Sequence, residues 1–307
     1  MEYAPIVLFV YNRAKHTKEV LTKLSENELA KDSELFIYSD GPKRESDIEK
    51  IKEVRNVLKE IKGFKKVTIT ASEKNKGLAN SVIGGVTEVI NKYGKVIVLE
   101  DDLLTQKYFL NVMNQMLDYY SNDKKIGSVT AFMITTRQVK VPKYYIEDIF
   151  FNVRPCSTGW GTWKDRWDEV DWEVQDYLSF SENKYAQKQF NKGGKDLTKM
   201  LKAQIEGKID SWAIRWSYHQ FKKGLVCVQT TKSYVDNIGY DSSGIHSKDE
   251  SLLFRQESLA SKKRLDLYKY SGVPTWEIIK RYRAVNSFGW VYIKKKLYSK
   301  IGILIKI

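Results

Sequence analysis

The sequence predicts an α/β fold, a mostly parallel sheet with helices on both faces, and three observations predict it. Apolar β-branched runs alternate with helical-period segments through the first 130 residues. Polar groups follow three of those runs directly: Asn12-Arg13, Asp40 and Glu100-Asp101-Asp102. Hydrophobic residues at 42% and aromatics at 13% of 307 residues are enough for a large buried core.

The elements follow in order. Ile6 to Val10 is a five-residue apolar run and reads as a buried strand. Val20, Leu21 and Leu24 recur at helical spacing, so a helix is expected over Thr17 to Leu24. Leu35 to Tyr38 is a second strand, closed by the turn Ser39-Asp40-Gly41-Pro42. An amphipathic helix is expected over 45–61, a strand over 67–70 and a helix over 78–90. Val96 to Leu99 makes the fourth strand, with the acidic triplet at its carboxyl end. A helix over 107–120 and a strand from Gly127 complete the regular part. Beyond about residue 140 the pattern loosens and tryptophans gather at 160, 163, 167, 172, 212 and 216. No linker composition divides this half from the first, so one catalytic domain is expected over 1–260.

Charge is uneven. Of the formal +14, the last 46 residues carry +10, with Asp266 and Glu277 their only carboxylates. The body is near neutral, which argues against a nucleic-acid binder. Residues 261–307 read as a basic tail with Ile278, Ile279, Tyr282, Trp290 and Ile293 near helical spacing. Two structures are open for it, a helix packed on the domain and a segment lying on an anionic membrane. The apolar run near the start is too short to span a bilayer and has no basic segment before it, so a cytoplasmic protein is expected, peripheral on the inner membrane face if the tail binds lipid. Cys156 and Cys227 read as buried thiols rather than a disulfide, and no Cys/His cluster suggests zinc.

Three consecutive carboxylates raise one another's pKa unless a cation neutralises them. Mg²⁺ or Mn²⁺, bound by one or two carboxylates and substrate phosphates, suits an open strand end. In parallel sheets ligands bind beyond the carboxyl ends of the strands, where Arg13, Asp40 and the triplet all fall. His246 ends a Gly/Ser-rich stretch from Asn237 that reads as a mobile loop able to complete a metal shell. Asp210, before the Trp212 to Lys222 helical segment, is the carboxylate chosen as general base, and it is also a good helix N-cap, a role that does not exclude the first. Trp160, between two glycines, reads as a surface for stacking on a sugar.

Six segments resemble, in order, those of GT-A glycosyltransferases, specifically N-acetylglucosaminyltransferase I and related bacterial family 2-like enzymes. They are Tyr11-Asn12-Arg13, Tyr38 to Gly41, Asn75 to Leu78, Val96 to Leu103, Gly159 to Trp163 and Gly239 to His246. The resemblance covers about residues 4 to 250. It implies a GT-A (Rossmann-like) fold and inverting transfer of a hexosyl or N-acetylhexosaminyl group from a UDP-sugar to a glycan hydroxyl, the acceptor being lipid-linked if the tail meets a membrane. It also implies roles. Asp40 would accept from uracil N3–H, Arg13 would lie near base or diphosphate, and Asp101 would meet ribose or a metal-bound water. Glu100 would meet the donor sugar, Asp102 and His246 the metal, and Asp210 would be the base. Two other classes remain open, a sugar-phosphate nucleotidyltransferase and a non-catalytic nucleotide-sugar-binding protein. The first lacks its glycine-rich phosphate loop after Val10, and the intact triplet counts against the second.

Overall fold

The computed structural model describes residues 2–135, 138–239, 256 and 258–285. In chain order they form β1 (Ile6–Val10), α1 (Ala14–Ser25), β2 (Glu34–Ser39), α2 (Ile48–Lys59), β3 (Lys66–Ala71), α3 (Leu78–Tyr93), β4 (Lys95–Glu100), β5 (Leu103–Thr105), α4 (Phe109–Tyr119) and β6 (Ile126–Thr130). There follow β7 (Ile149–Asn152), β8 (Trp160–Trp163), α5 (Lys164–Trp167), α6 (Tyr177–Glu182), α7 (Lys184–Phe190), α8 (Leu197–Ile205), α9 (Trp212–Lys223), β9 (Val226–Thr230), β10 (Val235–Asn237) and α10 (Trp276–Val285).

An eight-stranded sheet runs in the order β3-β2-β1-β4-β8-β6-β9-β7. The first four strands are parallel, as is the β6–β9 pair; β8 is antiparallel to both its neighbours and β7 to β9. The expected mostly parallel α/β architecture is therefore present. Every residue of β1 and the Val96–Leu99 run are buried, as continuous apolar strands in a helix-covered sheet must be. Register places Val10 opposite Ser39 and Phe9 opposite Glu100, so the residues that follow β1, β2 and β4 emerge at one sheet edge.

The antiparallel insertion was not visible in the sequence. Gly159 to Trp163, expected as a ligand-contacting turn, supplies β8 in the middle of the sheet. A Cβ at Gly161 would lie 2.7 Å from the Val96 carbonyl oxygen, so glycine is what lets β8 approach β4. Trp160 is consequently 1% exposed and stacked on Trp212 at 5.0 Å, with Trp167 and Trp216 beside it. Trp163 donates its indole N–H to the Leu117 carbonyl (3.0 Å) within the core on the other face.

The first part of the basic tail is packed on the body. Leu265 and Gln115 exchange two hydrogen bonds of 2.8 Å, Tyr120 donates to the Tyr268 carbonyl (2.7 Å), and Ile278, Ile279 and Tyr282 of α10 are buried. No helix among the described residues is long and apolar enough to cross a membrane. Cys156 and Cys227 are free thiols, Cys227 buried and Cys156 partly so.

Candidate functional site

Three strand ends build the site. Beyond β1, the Arg13 guanidinium forms an ion pair with Asp101 and a second with Asp102 Oδ2 at 3.0 Å. The Tyr11 backbone N–H also points at Asp101 Oδ2 (3.4 Å). The β1 loop is held from the side by Asp47, which accepts from Tyr11 Oη (2.9 Å) and Asn12 Nδ2 (3.0 Å).

The triplet is divided by its environment. Asp101 is only 4% exposed; burial raises its pKa, against the opposing pull of Arg13. Glu100 is pushed up to about 8, by burial first and then by Asp102 and Asp101. Burial works against the Arg13 charge, but Asp101 and Asp102 overcome it and hold the guanidinium protonated. Asp102 is the more open of the two carboxylates that Arg13 pairs with, at 19% side-chain exposure against 6% for Asp101.

Asp102 also meets the far end of the chain. β10 pairs antiparallel with β5, and Ile238 N–H donates to the Asp102 carbonyl (2.9 Å). A Cβ at Gly239 would overlap Asp102 Oδ2. The glycine- and serine-rich stretch therefore starts at the triplet itself. His246 lies outside the described residues.

Asp40, buried at the end of β2, is occupied by the chain. It accepts from Gly41 N–H (2.8 Å), Lys76 N–H (2.9 Å), Gly77 N–H (3.0 Å) and Asn75 Nδ2 (3.0 Å). A carboxylate has about four lone-pair sites, so a base N–H would have to replace one of these donors. Arg55 braces the same corner, donating to Ser39 Oγ (3.3 Å) and the Ser72 carbonyl (2.6 Å). Asp40 and Lys76 also line a cleft of about 170 Å³ with Tyr38, Ser72, Asn80 and Glu88.

The Asp40-held loop leads to Asp210. Gly77 has φ +78°, and a Cβ there would sit 3.2 Å from Asp210 Oδ2. Asp210 is 60% exposed, with Arg215 at 3.9 Å. The N-cap of α9 is Ser211, whose side chain accepts from Ile214 N–H (3.4 Å), so the capping role expected as an alternative for Asp210 belongs to its neighbour. Asp165 and Asp168 are engaged in exposed ion pairs, Asp165 with Lys124 and Asp168 with Lys164.

The structure thus brings together Arg13, Asp101 and Asp102, with Glu100 beside them, and links Asp40 to Asp210 through Asn75-Lys76-Gly77. It does not bring Trp160 to the site. The expectation of a sugar contact at Trp160 gives way to a core role, since its indole is enclosed by three others. The bracing residues Arg55 and Asp47 carried no sequence signal of their own, because their importance lies in contacts between distant segments, and for the same reason the contact of Gly239 with Asp102 was not visible.

The metal expectation can be tested against this donor set. Among the described residues no three His, Cys, Asp or Glu side chains converge into a cage. What is present is hard oxygen chemistry at an open strand end, with one carboxylate, Asp102, in reach of solvent and a cationic group already balancing the cluster. Such a set fits Mg²⁺ or Mn²⁺ shared with substrate phosphates, and does not fit a zinc site.

No family model matches the chain, and no curated protein matches it. Among solved structures, S. aureus TarS is similar over 75% of this chain at 12% identity and a TM-score of 0.45, and this chain spans 36% of that one. The mannosyltransferase PcManGT from Pyrobaculum calidifontis, in complex with GDP-Man and Mn²⁺, is similar at 11% identity over 72% of this chain and 70% of its own, with a TM-score of 0.38. The galactosyltransferase LgtC, in complex with donor and acceptor sugar analogs, matches at 10% identity over 72% of both chains, with a TM-score of 0.35. All three TM-scores lie below 0.5, and the functional reading rests on the residues of this chain.

Proposed function

We propose that this protein is a glycosyltransferase that moves a hexosyl or N-acetylhexosaminyl group from a UDP-sugar to a glycan hydroxyl with inversion. The observation that carries the reading is the meeting of Arg13 with Asp101 and Asp102 at the ends of β1 and β4, while the loop that Asp40 holds at the end of β2 abuts the exposed carboxylate of Asp210.

The donor lies along the strand ends. Asp40 marks the base end, where a uracil N3–H replaces the Asn75 amide on Oδ2. Asp101 faces the ribose or a bound water, and Glu100 faces the donor sugar. Asp102 and His246 would hold a divalent cation, which would supply charge neutralisation for the diphosphate leaving group. Arg13, paired with Asp102, offers the diphosphate a planar fork of donors that suits phosphate oxygens. Asp210 accepts the proton of the acceptor hydroxyl as that oxygen attacks the anomeric carbon. Its exposure suits an acceptor approaching from solvent.

The basic chain beyond α10 serves as a peripheral contact with an anionic membrane, which makes a lipid-linked acceptor in cell-surface polysaccharide assembly the natural substrate class. The decisive experiment is calorimetry with UDP and Mn²⁺, paired with a donor screen across UDP-sugars. Binding abolished by EDTA is expected, and equally strong binding without metal would overturn the metal role. Asp210→Asn should keep UDP binding and lose transfer; full activity would move the base elsewhere.

A further inference from the structure

We propose that a second membrane contact is built into the folded body: the loop 140–146, continued by the outer face of α10, docks on an anionic lipid bilayer. This rests on the peripheral-membrane part of the reading above, and assigns contact to a surface that the tail alone would not need.

The loop alternates between anchors and outward groups. Val139 is 2% exposed, Pro142 is buried, and Tyr145 hydrogen-bonds the Ile149 carbonyl (2.8 Å) and Tyr268 Oη (2.9 Å). Between and beyond these anchors, Lys140, Lys143, Tyr144 and Ile146 point outward, Tyr144 at 74% exposure and Ile146 at 86%. The backbone is pinned from below while its most apolar side chains face water. Tyr144 Oη donates to Glu277 on α10 (2.7 Å), which ties the loop to that helix. α10 turns Ile278, Ile279 and Tyr282 inward and leaves Lys280 and Arg281 exposed.

The surface thus combines a tyrosine and an isoleucine with four exposed cations. A protruding apolar tip ringed by Lys and Arg suits the headgroup boundary, where aromatic rings settle and each cation near the surface gains about 1 kcal/mol. A second copy of this chain is disfavoured as occupant, since each carries +14 and would bring the same basic face. Two carboxylates flank the tip, Glu147 next to Ile146 in the chain and Glu277 bonded to Tyr144.

The test uses the full chain and co-sedimentation with phosphatidylcholine vesicles, with and without phosphatidylglycerol. Wild type should pellet with the anionic vesicles. Tyr144→Ser combined with Ile146→Ser should lower that partition about tenfold, the tail being intact. Both side chains are exposed and only the exposed Tyr144–Glu277 hydrogen bond is lost, so the melting temperature should fall by no more than about 2–4 °C. Lys140→Gln with Lys143→Gln should weaken binding and reduce its dependence on salt. If the Tyr144/Ile146 variant partitions like wild type, the loop proposal falls and the tail reading stands. If wild type itself stays in the supernatant, both fall. If the variant instead changes the sedimentation coefficient without vesicles, the patch is a protein interface and the lipid assignment is overturned.

Discussion

Gly239 sits against Oδ2 of Asp102, the same oxygen that Arg13 reaches from the end of β1 at 3.0 Å. Segments more than 130 residues apart therefore converge on one carboxylate. A methyl group at Gly239 would push that carboxylate or the β10 strand aside. Gly239→Ala should cost about 1–3 kcal/mol in stability and at least tenfold in metal-dependent UDP affinity. Chemical denaturation and calorimetry measure the two effects, and an unchanged UDP affinity would separate Gly239 from the donor site.

Arg13 is the counter-charge of a nearly buried carboxylate. Arg13→Gln removes it and should destabilise the metal-free protein by about 3 kcal/mol, because Asp101 is left without a counter-charge and keeps only the long Tyr11 N–H contact. Added Mn²⁺ should then raise the melting temperature of the variant more than that of wild type, since the cation takes over the lost charge. Equal shifts in both proteins would mean that Arg13 and metal do not share the cluster.

The Asp40 carboxylate holds the loop that carries Gly77. In Asp40→Asn an amide NH₂ must face backbone N–H donors in either orientation, because both oxygens accept now. Amide exchange at Lys76 and Gly77 should accelerate, with a stability loss of about 1.5–3 kcal/mol. Transfer should fall as Asp210 loses its support. Protected amides at these two positions in the variant would contradict the bracing role.

His219 provides a pH test away from the site. It stacks on Trp216 at 5.6 Å, and burial, followed by Lys223, lowers its pKa from 6.5 to about 4, with Glu169 opposing. A depressed histidine stabilises the fold when neutral, so its contribution is present above pH 6.5 and is lost as pH falls from 6.5 toward 4. The loss amounts to about 3 kcal/mol at the acid end. His219→Phe keeps an aromatic ring on Trp216 and should flatten this acid limb. Urea denaturation at pH 7 and pH 4.5 distinguishes the outcomes, and parallel losses in both proteins would place the acid sensitivity elsewhere.

Much of the first half was legible because its signals are local. Five consecutive buried apolar residues at Ile6–Val10, the helical spacing of Val20, Leu21 and Leu24, and carboxylates directly after Leu99 report structure within a window of a few residues. From these alone follow the parallel α/β order and the convergence of Arg13, Asp40 and the triplet at one sheet edge, whereas the choice of Asp102 within the triplet came from the family resemblance. Long-range contact decided the rest. Trp160 went into the core because β8 pairs with β4 and β6; Gly161 serves that close approach, and Gly159 a left-handed turn tight against Val235, rather than a ligand. The occupied carboxylate of Asp40, the cap at Ser211 that frees Asp210, and the seat of Gly239 on Asp102 each depend on which distant backbone groups arrive within hydrogen-bonding or van der Waals range. Periodicity and spacing encode which face of an element is buried, but the partner that buries it is a property of the assembled fold.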